Sequence, residues 1–159
     1  MEITIDAVDR RLLNALQQDA SLSNQALADL THISAPTCLR RMRRLRDIGL
    51  IERQVALLNP QVLAKVQGHG LHAVVEVSLN AQAQELLEAF ETRIIQEAAV
   101  QQCWRVSPGP DFVLIVYVAD MPSYLQLTQR IFSQDANVRN VKAFFNLRCA
   151  KFDPRMPVA

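Results

Sequence analysis

Five of the fourteen arginines of this 159-residue chain fall between Arg40 and Arg46, in the stretch "PTCLRRMRRLR". A guanidinium is a planar fork of N–H donors that keeps its charge. It pairs bidentately with a phosphate or with the O6/N7 edge of guanine. The chemistry on offer is recognition of an anionic surface rather than bond-making. The charge is also local: the whole chain carries a formal +1, residues 1–31 sum to −3, residues 32–53 to +4, and residues 61–159 balance. Such a field steers a partner to one face instead of making the whole surface adhesive.

The arginines need an element to hold them. At 100° per residue, Cys38, Met42 and Leu45 share one side of a helix, with Leu39 at its edge. Pro36, Thr37, Arg40, Arg43, Arg44 and Asp47 lie opposite, and Arg41 and Arg46 flank the boundary. Within the helix only Asp47 is spaced to pair with Arg43 or Arg44, whereas a merely solvated face mixes signs. Ser34 is suited to cap this helix, Pro36 to its first turn, and Gly49 to the position after its end.

Two helices precede it. "IDAVDRRLLNALQQDA" repeats Val8, Leu12, Leu13 and Leu16 at helical spacing. "SLSNQALADLT" offers Ser23 as N-cap and a short stripe of Ala26, Leu27 and Leu30, and "THIS" is a polar break. A short turn between two helices is the helix-turn-helix pattern, in which early residues of the second helix meet base edges. Thr37, Arg40 and Arg44 are the expected base contacts, and Arg41, Arg43 and Arg46, with Ser23 and Asn24, the expected phosphate contacts. Ser34 and Pro36, at the helix entry, complete the DNA-facing set.

"LIERQVALLNP" reads as a strand that ends at Asn59-Pro60, which sets a DNA-binding domain with linker strand at residues 1–60. "QVLAKVQGHG" is the connector, with Gly68-x-Gly70 a hinge, and a second domain spans 65–159. There, "LHAVVEVSL", "VQQCWRVS", "DFVLIVYVA" and "VRNVKAFFNLRCAKF" are strand-like. "AQAQELLEAFETRIIQE", with Leu87, Phe90 and Ile94 on one side, and "MPSYLQLTQRIFSQD" are helical. The order β-α-β-β-α-β specifies a ferredoxin-like domain with both helices on one face of an antiparallel sheet. The fold class is thus α+β, a winged-type helix-turn-helix followed by this sandwich. Phe112, Leu114, Val116 and Val118 point to one sheet face, and Val113, Ile115 and Tyr117 to the other, which no helix of this order covers. An apolar sheet face left open predicts a homodimer packed sheet on sheet.

Other chemistries find little support. His69 and His72 lack a nearby Cys or Asp to complete a metal set, and Cys103 has no neighbouring His or Lys to lower its pKa. No carboxylate pair, triad or phosphate loop is present, so the reading is of no enzyme, no catalytic residue, no metal and no cofactor. The chain is 50% hydrophobic and 21% charged, enough for a real core, and has no apolar run of about 18 residues. The start "MEITIDAVDRR" lacks the order of a secretory signal, and three widely spaced cysteines suit reduced thiols, so cytoplasm is the expected compartment.

These residues also resemble a family. Asp9…Leu12-x-Asn14…Leu16, Ser34…Leu39-x-Arg41-Met42-x-x-Leu45, Gly49-x-Ile51 and, downstream, "VSPGPDFVLIVYVADM" are similar to the Lrp/AsnC (leucine-responsive/asparagine-regulator) transcription factors over essentially the whole chain. The resemblance implies binding to double-stranded DNA and dimers held by the second domain, often assembled into tetramers of dimers. It also implies a small effector, usually an amino acid, bound where dimers meet. The family's effector loop maps to Ser107, Pro108, Gly109, Pro110 and Asp111, with one departure: Pro108 stands where Gly is common. Two prolines stiffen that turn and remove two N–H donors. Met121, Tyr124 and the prolines would give an apolar wall suited to leucine or methionine, and Asn146 a polar group to orient it. The alternative reading is a small-molecule-sensing or metabolic subunit in which the ferredoxin-like half works without DNA.

Overall fold

Asp6 opens the first helix with a reciprocal cap. The structure, a computed structural model, describes residues 4–158; residues 1–3 and 159, included in the domain limits above, lie outside the described residues. The Asp6 carboxylate accepts from the N–H groups of Val8 and Asp9, and the Asp9 carboxylate accepts from the N–H of Asp6. Helix α1 then runs over Ala7–Gln18, α2 over Asn24–Thr31 and α3 over Ala35–Asp47. Ser23 and Ser34 cap α2 and α3 as their types predict, and Gly49, at φ 75°, follows the end of α3.

The three helices close on Leu12, Leu13, Leu27, Ala28, Cys38, Met42 and Leu45. The stripe expected on α2 is shifted: Leu30 is exposed, while Ala28 and Thr31 are buried beside Leu27. Thr31 can be buried because its hydroxyl donates to the carbonyl of Leu27 at 2.7 Å. His32 then takes the left-handed conformation (φ 57°), and this reversal makes the turn.

The chain divides into two compact units, one reaching Leu57 and also containing Lys151 onward, the other Leu58–Ala150. The C-terminal segment belongs to the first unit through α1. Gln17 Nε2 donates to the Met156 carbonyl at 2.9 Å, and the Met156 N–H donates to Gln17 Oε1 at 2.7 Å. Asn14 donates to the carbonyl of Val158, whose side chain packs on the helical core. An open cavity of about 400 Å³ lies alongside, lined by Asn14, Gln17, Gln18, Asp153, Arg155 and Met156.

The strand expected in "LIERQVALLNP" does not form: residues 50–59 have no paired strand, and Val55, Leu57 and Leu58 are exposed. β-branched and apolar residues make a strand only where another segment supplies hydrogen-bond partners, and among the described residues none does. The connector, in turn, is a helix, α4 (Pro60–Gln67), capped by Asn59 and ended by Gly68 at φ 84°.

In the second unit, β1 (Leu71–Leu79), α5 (Gln84–Ile94), β2 (Val100–Arg105), β3 (Phe112–Val118), α6 (Met121–Thr128) and β4 (Val138–Phe145) follow the expected order. The sheet is antiparallel throughout with spatial order β2-β3-β1-β4. A π-helical turn, Gln129–Ser133, prolongs α6. Alternate residues of β1 and β3 (Ala73, Val75, Val77; Phe112, Leu114, Val116) are buried under Phe90 and Ile94 of α5 and Tyr124 and Leu127 of α6. Each such aliphatic or aromatic side chain is worth about 1.5–3 kcal/mol of burial. The other face carries half-buried Val74, Val113, Ile115 and Tyr117, with exposed Trp104 and Phe144 opposite them in register.

Candidate nucleic-acid interface and effector loop

On α3 the arginines separate into two rows. Thr37, Arg40, Arg43 and Arg46 recur every third residue; Thr37 is half-buried, and the three arginines are exposed and make no ion pair among the described residues. Arg41 and Arg44 form the second row, which faces α1. Arg41 Nη1 donates to Asp9 Oδ1 and to Asp6 Oδ2, each at 2.8 Å, and Arg44 Nη1 donates to Asp9 Oδ2 at 3.1 Å. Arg44 Nη2 also donates to the Thr4 carbonyl at 2.6 Å. Asp9 is 2% exposed. The hydrogen bond to Asp9, and then that to Asp6, raises the Arg41 pKa further. The Asp9 N–H, and then Arg41, holds the Asp6 carboxyl below its ordinary value.

This corrects the expectation that Arg44 projects freely to bases and Arg41 to phosphates. Their acidic partners lie not at i±4 in α3 but in another helix, where helix-local spacing cannot reveal them. One signal was present: Asp9 lies in phase with Leu12, Leu13 and Leu16, so a charge was being carried on a buried stripe.

The smaller polar residues serve the motif itself. Ser23 Oγ accepts from the Ala26 N–H, and Asn24 Nδ2 donates to the Ala35 carbonyl at 2.9 Å, tying the start of α2 to the start of α3. Ser34 Oγ donates to Thr37 Oγ1 at 2.8 Å and accepts from the Thr37 N–H. Pro36 is exposed in the first turn.

In the second unit, Ser107, Pro108 and Gly109 are exposed between β2 and β3, Pro110 is half-buried, and Gly109 has φ 122°. Asp111 is already engaged: its Oδ2 accepts from the Leu79 N–H at 2.6 Å, and its own N–H donates to the Val77 carbonyl. It ties the loop to the end of β1, a structural engagement that its place in the expected effector loop did not foretell. Tyr124 is likewise core, 6% exposed, with its ring edge-on to Phe145 at 5.1 Å and its phenol pKa raised by burial. Met121 is 42% exposed at the start of α6. Asn146 is exposed just beyond β4, and its N–H donates to the His72 carbonyl.

A helix-turn-helix with an arginine row, joined to an antiparallel α+β sandwich, defines a transcription regulator with a DNA-binding and a ligand-binding domain. Residues 5–52 match the winged helix-turn-helix DNA-binding family and residues 72–156 the Lrp/AsnC ligand binding domain. The chain belongs to the Lrp/AsnC family of transcriptional regulators. It is 32% identical over 154 residues to the DNA-binding transcriptional activator DecR of Escherichia coli, covering 97% of this chain and 99% of that one. It is 33% identical over 151 residues to the leucine-responsive regulatory protein of Rhizobium meliloti, covering 95% and 94%. Among solved structures, a transcriptional regulator of Neisseria meningitidis in complex with L-methionine superposes with a TM-score of 0.84 at 26% identity, over 97% of both chains. Among the described residues no helix is long and apolar enough to cross a membrane.

Proposed function

We infer that α3 enters the major groove of double-stranded DNA with its Thr37–Arg40–Arg43–Arg46 row, Thr37 and Arg40 at base edges and Arg43 and Arg46 at phosphates. The observation that carries this is that these three arginines have no acidic partner among the described residues, beside two others that are paired with Asp9. A titration of operator duplex tests it: Arg40→Ala costs about 1–3 kcal/mol and relaxes sequence preference, and unchanged affinity at fixed salt would refute it.

The loop Ser107–Pro110, with Met121 and Asn146 on neighbouring elements, is the proposed effector site, and an apolar amino acid, leucine or methionine, the proposed effector. The apolar, proline-stiffened loop and the methionine complex of the Neisseria relative support this reading. A thermal-shift screen of the twenty amino acids tests it, because a ligand that binds only the folded state raises the melting temperature. The uncovered sheet face supports a homodimer, assembled further into a tetramer of dimers, at work in the cytoplasm; sedimentation of the purified chain as a monomer would refute the assembly.

A further inference from the structure

We propose that Asp9 sets the sequence-independent part of this regulator's DNA affinity by withholding Arg41 and Arg44 from the phosphate backbone. The inference rests on α3 being the DNA-facing helix. The stretch Arg40–Arg46 looks like five equivalent cations, yet the geometry assigns them to two classes. Asp9 is 2% exposed and gives one carboxylate oxygen to each of Arg41 and Arg44, while Asp6 gives Arg41 a second carboxylate. Arg41 is itself largely covered, with 22% of its side chain exposed. For either arginine to reach a phosphate it must leave one oxygen of a buried carboxylate without its partner, and a buried charged group that loses a hydrogen bond is costly.

The consequence is chemical, not only structural. Phosphate contacts give affinity for any sequence, whereas base contacts discriminate. Each arginine held by Asp9 subtracts one sequence-independent contact and leaves the Thr37–Arg40–Arg43–Arg46 row unaltered. Asp9 therefore lowers the affinity for random DNA and for the operator by the same factor and flattens the salt dependence of both. It also fixes the rotation of α3 about its axis, since two arginines three residues apart are anchored to one carboxylate on α1. Asp9 is thus a positioning residue that never touches DNA.

The test compares wild type, Asp9→Asn and Arg40→Ala on operator and random duplexes across 50–200 mM salt. Asparagine keeps the shape and one acceptor oxygen but removes the charge. Releasing Arg44, with Arg41 still held by Asp6, steepens the salt dependence of binding to both duplexes by about 0.9 in log–log slope per subunit, the value per phosphate neutralised. Affinity for both duplexes rises several-fold, and the ratio of operator to random affinity stays unchanged. A purely structural role predicts the opposite: both affinities drop together and the slope stays flat or becomes shallower. That result would overturn the proposal. Should Asp9→Asn fail to fold, Arg44→Ala decides, because Arg44 is 43% exposed and Asp9 keeps Arg41. An arginine withheld from phosphate can be removed with the salt slope unchanged, and a slope shallower by about 0.9 overturns the proposal. Arg40→Ala separates the two layers of argument. If it leaves both duplexes unaffected, α3 is not the DNA face and the premise falls; if it weakens the operator while the Asp9→Asn slope is unchanged, only the role of Asp9 falls.

Discussion

Tyr117 occupies the space that a side chain on Gly70 would need: a Cβ built on Gly70 collides with the Tyr117 ring and hydroxyl. Gly70 is therefore a notch for an aromatic ring. The same ring meets His72 edge-on at 4.7 Å. Gly70→Ala is expected to destabilise the second unit by about 1–3 kcal/mol, the usual cost of overpacking. A denaturant titration checks this, and Gly70→Ala in a Tyr117→Ala background should lose much less relative to that background. An equal loss in both backgrounds would show that the collision is not the cause.

Asp111 supplies the acceptor for the N–H of Leu79, a residue 1% exposed. Removal of that oxygen strands a donor away from water, at about 1–3 kcal/mol. Asp111→Ala should lower the unfolding midpoint and speed amide exchange at Leu79, while the first unit keeps its exchange pattern. Protection of Leu79 equal to wild type would contradict the assignment.

Acid weakens the first unit through Asp6. Its pKa is depressed in the folded chain, first by the Asp9 N–H and then by Arg41, so its stabilising effect is fully present above the unfolded carboxylate pKa. That contribution is lost as pH falls below about 4 and through the depressed folded value. Unfolding midpoints measured from pH 7 down to about pH 2.5 should fall less steeply for Asp6→Asn than for wild type. Identical slopes would show that Asp6 contributes nothing to acid sensitivity.

Gln17 pairs with the backbone of Met156 in both directions. Gln17→Ala removes both bonds and should release the segment, with amide exchange at Met156 approaching the rate of an open chain. The cost to global stability should be near 0.5–1.5 kcal/mol per hydrogen bond, since Met156 is exposed and water can replace the partner.

What was legible in the sequence was whatever is encoded locally or by period. Ser23 and Ser34 at their caps, Gly49 after α3, the Cys38–Met42–Leu45 stripe and the alternation of Phe112–Val118 all follow from rules that span a few residues. The β-α-β-β-α-β order of the second unit came from the same signals, whereas α4 was read only as a connector. The misses are tertiary. Asp9 and Arg41 are thirty-two positions apart, Gln17 and Met156 one hundred and thirty-nine, and no local pattern joins them. The strand expected at residues 50–59 has the right residue types, but strand formation depends on a partner segment as well as on composition. In the effector loop, Asp111 was legible as a loop carboxylate and illegible as one already accepting from Leu79.

The helix-free sheet face holds the chain's one tryptophan, Trp104, 58% exposed and opposite Val113 in register. Its indole N–H donates to Gln102 Oε1 beside it at 3.0 Å, and the ring stays within reach of solvent. The protein consequently carries its own optical reporter at the surface where a second copy would settle. Covering that surface strips water from a single fluorophore, and the emission shifts to the blue with no competing signal to subtract. Dilution and effector titrations can then be followed by colour alone, without a label.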